Sequence, residues 1–271
     1  MLLKSLIRKL KKIFFYQKYI FFRKLRMLLK IDQKILIKNH ELILPPGHLL
    51  SLYNYLYPEY DEFISKLMVG LDKNQSVIDI GANVGDTLIR LINSNSKIKY
   101  YSIEADKYFF KYLKKNTERI TSIFKTRITL IEKLVGINLT GNLSKTSTGT
   151  KTLIENNSGM KSKKLDEIIL DYKIENIALI KVDVDGYDFN VLLSGMEYIT
   201  KYKPKLFFEY MSLNKNGYIE IINKLSEVGY KKWTVLNNYG QVIFENKKKS
   251  DVIEILSNYN TNKIIDIFCS S

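Results

Sequence analysis

One cysteine, Cys269, stands in 271 residues, so no intramolecular disulfide can form and a reducing compartment is expected. Histidine is almost as scarce. His40 and His48 lie ahead of the most ordered part of the sequence, read as ordinary loop histidines, and leave too few ligands for a His/Cys zinc site. No apolar run approaches the roughly 20 residues needed to span a bilayer. Lysines interrupt every stretch that could serve as the apolar part of a signal peptide, and no small-residue cleavage site follows, so no cleaved leader is expected. No internal repeat is visible.

Acids are missing from one segment altogether. Residues 1–30 hold ten lysines and arginines, from Lys4 to Lys30, and no Asp or Glu. Of the net charge of +15, +10 belongs to this tail, and the other 241 residues carry only +5. Basic character is therefore a property of the tail and not of the fold, which argues against a nucleic-acid partner. The tail is also apolar. Leu2, Leu3, Leu6, Ile7, Leu10, Ile13 and Phe14 recur at spacings of three and four, the period of an amphipathic helix, and residues 19–22 continue the stripe. A basic amphipathic helix suits an anionic membrane surface or a protein partner. The expected location is cytoplasmic, with the tail peripheral at the inner face of the membrane.

What is present is enough apolar residue, 45% of the chain, for a real core. Residues 35–37 and 42–44 read as two short strands, separated by the Pro45-Pro46-Gly47 break from a helix expected over 58–69. From there strands and helices alternate. Strands are expected at 76–80, 98–103, 128–134, 177–183 and 205–210, and helices at 86–93, 106–117, 164–171, 187–194 and 216–228. Residues 138–163, rich in Thr, Ser, Asn, Gly and Lys, read as a hairpin or a loop over the site. Strands at 230–236 and 241–245 flank Asn237-Asn-Tyr-Gly240, a hairpin signal. The expected organisation is a basic N-terminal extension and cap over 1–70 and an α/β core over 71–271.

The chemistry concentrates at strand ends. Residues 77–86 read Val-Ile-Asp-Ile-Gly-Ala-Asn-Val-Gly-Asp, a β-branched strand, a turn with two glycines and the start of a helix. The glycine spacing is G-x-x-x-G, not the G-x-G-x-x-G of a dinucleotide site. Asp79 lies at the carboxyl end of the strand, where open α/β sheets bind ligands. A carboxylate there repels a pyrophosphate and suits the ammonium and sulfonium of S-adenosylmethionine. Glu104 ends the next strand and is spaced to hold ribose hydroxyls. Lys181 and Asp183 share a face of the strand at 177–183, Asp185 extends it, and Glu209 ends the following strand in the same layer. These acids are candidates to take a proton from an alcohol or to hold a divalent metal, the ligands then being Asp183 and Asp185. Alternating β and α units closed by an antiparallel hairpin is the order of the S-adenosylmethionine-dependent methyltransferase sheet.

VIDIGANVGD, YSIEAD, LDEI at 165–168, LIKVDVDGYDFNVLLSG and PKLFFEY resemble, in order and spacing, the FkbM family of S-adenosylmethionine-dependent methyltransferases. The resemblance covers roughly 55–212. It implies a class I Rossmann-like fold with a mostly parallel sheet, and O-methylation of a hydroxyl, often of a sugar or polyketide. It further implies that Asp79, Gly81, Ala82, Asn83, Gly85 and Asp86 line the cofactor turn, with Glu104, Ala105 and Asp183 beside it. Lys181, Asp183 and Asp185 would edge the active site. Asp185 stands where the family usually carries Glu, and Ala105 where it usually carries Pro. The expected acceptor is a sugar of a bacterial surface polysaccharide or its activated precursor. A nucleotide-dependent oxidoreductase and a non-catalytic scaffold acting through residues 1–30 are the rival readings. The tail itself is not explained by the family.

Overall fold

Every residue of the strand Ser76–Ile80 is buried, and burial on both faces marks it as a centre of a parallel sheet. The computed structural model describes residues 2–60, 62–145, 151–258 and 264–271, with side chains from residue 14 onward and excepting Lys145. In chain order the elements begin with α1 (Leu2–Leu29), β1 (Gln33–Ile37), β2 (His40–Leu44), α2 (Leu50–Leu56) and α3 (Glu62–Lys66). The sheet proper starts with β3 (Ser76–Ile80), α4 (Asp86–Ser94), β4 (Lys99–Glu104), α5 (Lys107–Phe124) and β5 (Arg127–Glu132). An insert follows, made of β6 (Thr140–Lys145), β7 (Lys151–Glu155) and β8 (Met160–Lys161). Then come α6 (Leu165–Asp171), β9 (Ile177–Val182), α7 (Asp188–Leu193), α8 (Met196–Tyr202), β10 (Lys205–Met211) and α9 (Lys215–Glu227). The described chain ends with β11 (Lys232–Asn237), β12 (Val242–Lys247), α10 (Lys249–Asn258) and β13 (Ile264–Ser270).

Eight strands form one sheet in the order β12-β11-β13-β10-β9-β3-β4-β5. The five strands from β10 to β5 run parallel. The hairpin expected at 230–245 is present as β11 and β12, but it does not join the parallel strands directly. β13 inserts antiparallel between β10 and β11. Its alternating burial, with Ile265, Ile267 and Cys269 wholly buried, is the half-buried strand pattern. The lone cysteine is thus a core residue, and burial pushes its thiol well up.

Two differences from expectation lie before the sheet. The helix expected at 58–69 is only α3, because Tyr57–Tyr60 and Glu59–Glu62 close turns instead. α2, by contrast, is a helix that the sequence pattern did not announce. The cap is bonded to the core rather than appended to it. Asn116 of α5 accepts from Ile43 N at 2.9 Å and donates to Ile43 O at 3.0 Å and Val84 O at 2.8 Å. Leu42, Leu44 and Leu50 share a buried cluster with Val77, Leu88 and Leu113; each such side chain contributes about 1.5–3 kcal/mol relative to exposure.

α1 is one helix of 28 residues, as the spacing predicts. Its C-terminal half packs on the cap. Phe15 stacks on Tyr55 with ring centroids 3.6 Å apart, and the Tyr19 hydroxyl donates to His48 O at 2.7 Å. Arg23 Nε donates to Gly47 O at 2.7 Å. Among the described residues no helix is long and apolar enough to cross a membrane.

Candidate active site at the carboxyl edge of the sheet

The turn after β3 sits where β3, β4 and β9 converge. Gly81 and Ala82 donate backbone N–H bonds to Ile103 O at 2.9 and 3.0 Å, which pins the turn to β4. Gly81 adopts φ +81°, a left-handed conformation open to glycine without penalty. Glu104 braces the turn from the neighbouring strand. Its Oε2 accepts from Asn83 N at 2.8 Å and its Oε1 from Asp106 N at 2.7 Å. Burial pushes this carboxyl up to about 7, against the lowering effect of those two backbone bonds. Asp106 then caps α5, accepting from the N–H groups of Tyr108 and Phe109, both at 3.0 Å.

Behind the turn lies a buried ion pair. Lys181 Nζ is 3.2 Å from Asp79 Oδ1 and 3.3 Å from Asp183 Oδ2. Parallel register sets Asp79 beside Lys181 on adjacent strands, so the pairing follows from sheet geometry. Burial raises the Asp79 carboxyl, and the Lys181 ammonium opposes that rise. β9 ends at Val182, and Asp185 takes φ +50°, so a turn and not strand alternation aims Asp185.

A second buried carboxyl, Asp188, braces the next strand. Its Oδ1 accepts from Glu209 N at 3.1 Å, and burial with the nearby Asp183 charge pushes it up to about 8. Glu209 is raised well above the usual carboxyl range by burial, then by Asp183 and Asp188.

Two cavities open on this edge. The first, of about 630 Å³, is lined by Gly81, Asn83, Glu104 and Ala105, by Asp183 and Asp185, and by Leu143, Lys151 and Leu153 of the insert. The second, of about 900 Å³, is lined by His48, Tyr53, Tyr60, Asp86, Lys181, Glu209 and Asn238. Gly81, Asn83, Asp183 and Asp185 belong to both walls.

Of the residues that the sequence nominates for the cofactor, Gly81, Asn83, Glu104, Ala105 and Asp183 line the first cavity. Asp86 faces the second. Asp79, Ala82 and Gly85 line neither: Asp79 is turned into the ion pair, and Ala82 and Gly85 close the turn on its inner side, Gly85 N donating to Ala82 O at 2.8 Å. Of the four candidates for chemistry, Asp183 and Asp185 line both cavities, and Lys181 and Glu209 the second. Among the described residues no group of three or more His, Cys, Asp or Glu side chains is arranged to hold a metal ion, and Asp183 and Asp185 form none.

His48 is not the ordinary loop residue that its sequence context suggests. Leu50 N donates to its Nδ1 at 3.3 Å, so the proton sits on Nε2, which faces Asn83 Oδ1 at 3.2 Å. Burial lowers its pKa and keeps the ring neutral. Nothing in the sequence signals a contact across 35 positions beyond the Pro-Pro-Gly turn that ends at His48. The insert confirms a hairpin at 138–163, its residues 146–150 lying outside the described residues. Lys151 ties it to the N-cap of α5 through Asp106 Oδ2 at 2.6 Å.

A comparison with curated proteins found no match. Among solved structures, the FkbM methyltransferase of Methylobacillus flagellatus KT is 18% identical with a TM-score of 0.48, over 79% of this chain and 50% of that one. The chain thus spans half the length of that relative. M. jannaschii TYW2, solved in complex with AdoMet, is 12% identical with a TM-score of 0.47, over 89% of this chain and 85% of that one. M. capricolum TrmK, solved with S-adenosylhomocysteine, is 13% identical with a TM-score of 0.42, over 77% and 67%. These are likenesses of fold alone. The Methyltransferase FkbM domain, however, matches residues 79–232, from the end of β3 to the start of β11, and on that match the chain belongs to the FkbM methyltransferase family.

Proposed function

We propose that this chain is an S-adenosylmethionine-dependent O-methyltransferase acting on a hydroxyl, with a sugar of a bacterial surface polysaccharide or its activated precursor as the acceptor. The observation that carries the reading is the position of Asp183 in the wall of both cavities. A donor in one chamber and an acceptor in the other meet at that carboxylate.

The first cavity fits the cofactor on its own chemistry. Gly81 in its wall carries no side chain to fill the space, and Glu104 keeps lone pairs for ribose hydroxyls beyond its two backbone bonds. Bound there, S-adenosylmethionine supplies an electrophilic methyl group. The protein's share is alignment and proton acceptance. Asp183, held by the Lys181 ammonium, takes the proton of the acceptor hydroxyl as that oxygen becomes nucleophilic, an effect worth ~10²–10⁴-fold. Glu209, in the wall of the second cavity, is a hydrogen-bonding group for another acceptor oxygen and fixes the ring. Leu143, Leu153 and Lys151 of the insert line the first cavity, and the two leucines give it apolar wall.

The sugar reading rests on the second cavity. Tyr53 and Tyr60 stack with centroids 5.9 Å apart and offer aromatic faces, while Asp185, Glu209 and Asn238 offer hydrogen-bonding groups. Apolar faces with a few convergent polar groups suit a neutral polyhydroxylated ring. Incubating the full chain with isotopically labelled S-adenosylmethionine and a panel of glycans and nucleotide sugars tests this. A methyl mass shift on a sugar hydroxyl is expected. Cofactor binding without turnover on any hydroxyl acceptor would favour the scaffold reading, and methyl transfer to nitrogen would refute O-methylation.

A further inference from the structure

We infer that α1 docks this protein on an anionic lipid bilayer by the helix face turned away from the cap. The cap side is fixed by Phe15, Tyr19 and Arg23. Phe14, Phe21, Leu25 and Leu28 lie on another face, at steps of seven, four and three, so one line along the helix carries all four. Their exposures are 70, 65, 39 and 77%, and Phe22 and Leu29 widen the stripe. A contiguous apolar stripe of this kind on a folded protein marks an interaction surface.

Charge selects the occupant. The stripe is carried by a segment with ten cations and no acid, so a second copy would set one such cluster against another. Nucleic acid would use the cations and leave the aromatic stripe in water. An anionic bilayer uses both: lysine and arginine reach the headgroups, and the Phe and Leu side chains enter the acyl boundary. The helix lies in the interface, since no described helix is long and apolar enough to cross it. The contact face of α1 grips Gly47 and His48, and His48 lines the second cavity, so the lipid-facing helix is joined directly to the wall of the acceptor chamber.

Flotation of the full chain with phosphatidylcholine vesicles, with and without phosphatidylglycerol, tests the inference. Binding is expected only with the anionic lipid, weaker in high salt and not abolished by it, because salt screens the cations and not the apolar stripe. A Phe21→Ser, Leu28→Ser variant touches only exposed positions, and it should keep the wild-type melting temperature while its vesicle affinity falls about tenfold or more. Absence of binding to anionic vesicles, equal binding to neutral ones, or unchanged binding by the variant would overturn the proposal. So would a wild-type dimer in light scattering that the variant converts to monomer, since the stripe would then belong to a second copy.

Discussion

A Cβ placed on Gly81 would stand 1.8 Å from the carbonyl oxygen of Asp183. The turn after β3 and the end of β9 touch backbone to backbone, and no side chain fits between them. Gly81→Ala adds this clash to the cost of a left-handed conformation for a residue with a Cβ, about 1–2 kcal/mol alone. The expected outcome is a loss of several kcal/mol in denaturant unfolding and loss of S-adenosylhomocysteine binding in calorimetry. Gly85→Ala is the milder comparison: φ is also positive, but the nearest atom, Leu113 Cδ1, is 3.0 Å away on a side chain that can move. Equal stability of the two variants would contradict the close approach.

The ion pair behind the turn predicts a double-mutant result. Lys181→Met leaves Asp79 buried without its cation, a situation that costs about 3–5 kcal/mol. Adding Asp79→Asn removes the stranded charge and should recover part of that loss. Urea unfolding of the two single variants and the double variant measures the coupling. Strict additivity would mean that the pair contributes nothing as a pair.

Glu104 gives a pH signature. Its carboxyl is pushed up to about 7 by burial, so it ionises across the neutral range. On the proposed reading the ionised form accepts ribose hydroxyls, so ligand binding would favour proton loss. Affinity for S-adenosylhomocysteine should rise as pH increases through about 7 and level off above it. The stability linkage runs the other way: the contribution of this raised group is full below the unfolded carboxyl range near pH 4.5 and is lost as pH rises through about 7. Glu104→Gln should weaken binding by about 1–3 kcal/mol and flatten the affinity profile. A flat wild-type profile would remove Glu104 from cofactor contact.

Asp183→Asn keeps the shape of the junction and removes the proposed proton acceptor. The expected loss is ~10²–10⁴-fold in kcat, with cofactor affinity within a few-fold of wild type. Asp185→Asn should behave similarly if Asp185 orients the acceptor from the same wall. Single-turnover kinetics with the acceptor identified by mass shift separates the two. Normal turnover by both variants would make these acids structural.

The parts of this site that were legible in the sequence are those built from consecutive residues. A β-branched run, two glycines at fixed spacing and an acid after the next strand specify a βα turn and its brace locally, and Gly81, Asn83 and Glu104 fall where that logic puts them. The hairpin at 230–245 was legible for the same reason. β13 was not, because its place between β10 and β11 is decided by pairing across a sheet and not by order along the chain. His48 reaches Asn83 only after the cap folds onto the turn. The sequence shows Asp79 as a strand-end carboxylate but not its ion pair, since parallel register, which sets Lys181 beside it, is invisible until the strands are aligned.

The roof of the first cavity carries the last prediction. Lys151 Nζ lies 2.6 Å from Asp106 Oδ2, with side chains 17% and 9% exposed, and near the faces of Tyr108 and Phe109 at 5.7 and 5.9 Å. This cluster ties β7 to the N-cap of α5, and Thr152 Oγ1 donates to Asp185 O at 3.3 Å, a second tie to the turn after β9. A cation held by a carboxylate and two rings in a largely dry setting is little screened by salt. Lys151→Met keeps the apolar stem and removes the charge, so the roof loosens without a cavity forming beneath it. Asp106→Asn removes the same bond from the other side, and asparagine still caps α5. Each variant should raise the dissociation rate of S-adenosylhomocysteine by about tenfold, the scale of one lost charge-assisted bond. The double variant should be no worse than either single one, because both break one contact. Stopped-flow displacement measures the three rates. Unchanged rates would show that the insert covers the cavity without retaining its ligand, and additive effects would place Lys151 and Asp106 in separate roles.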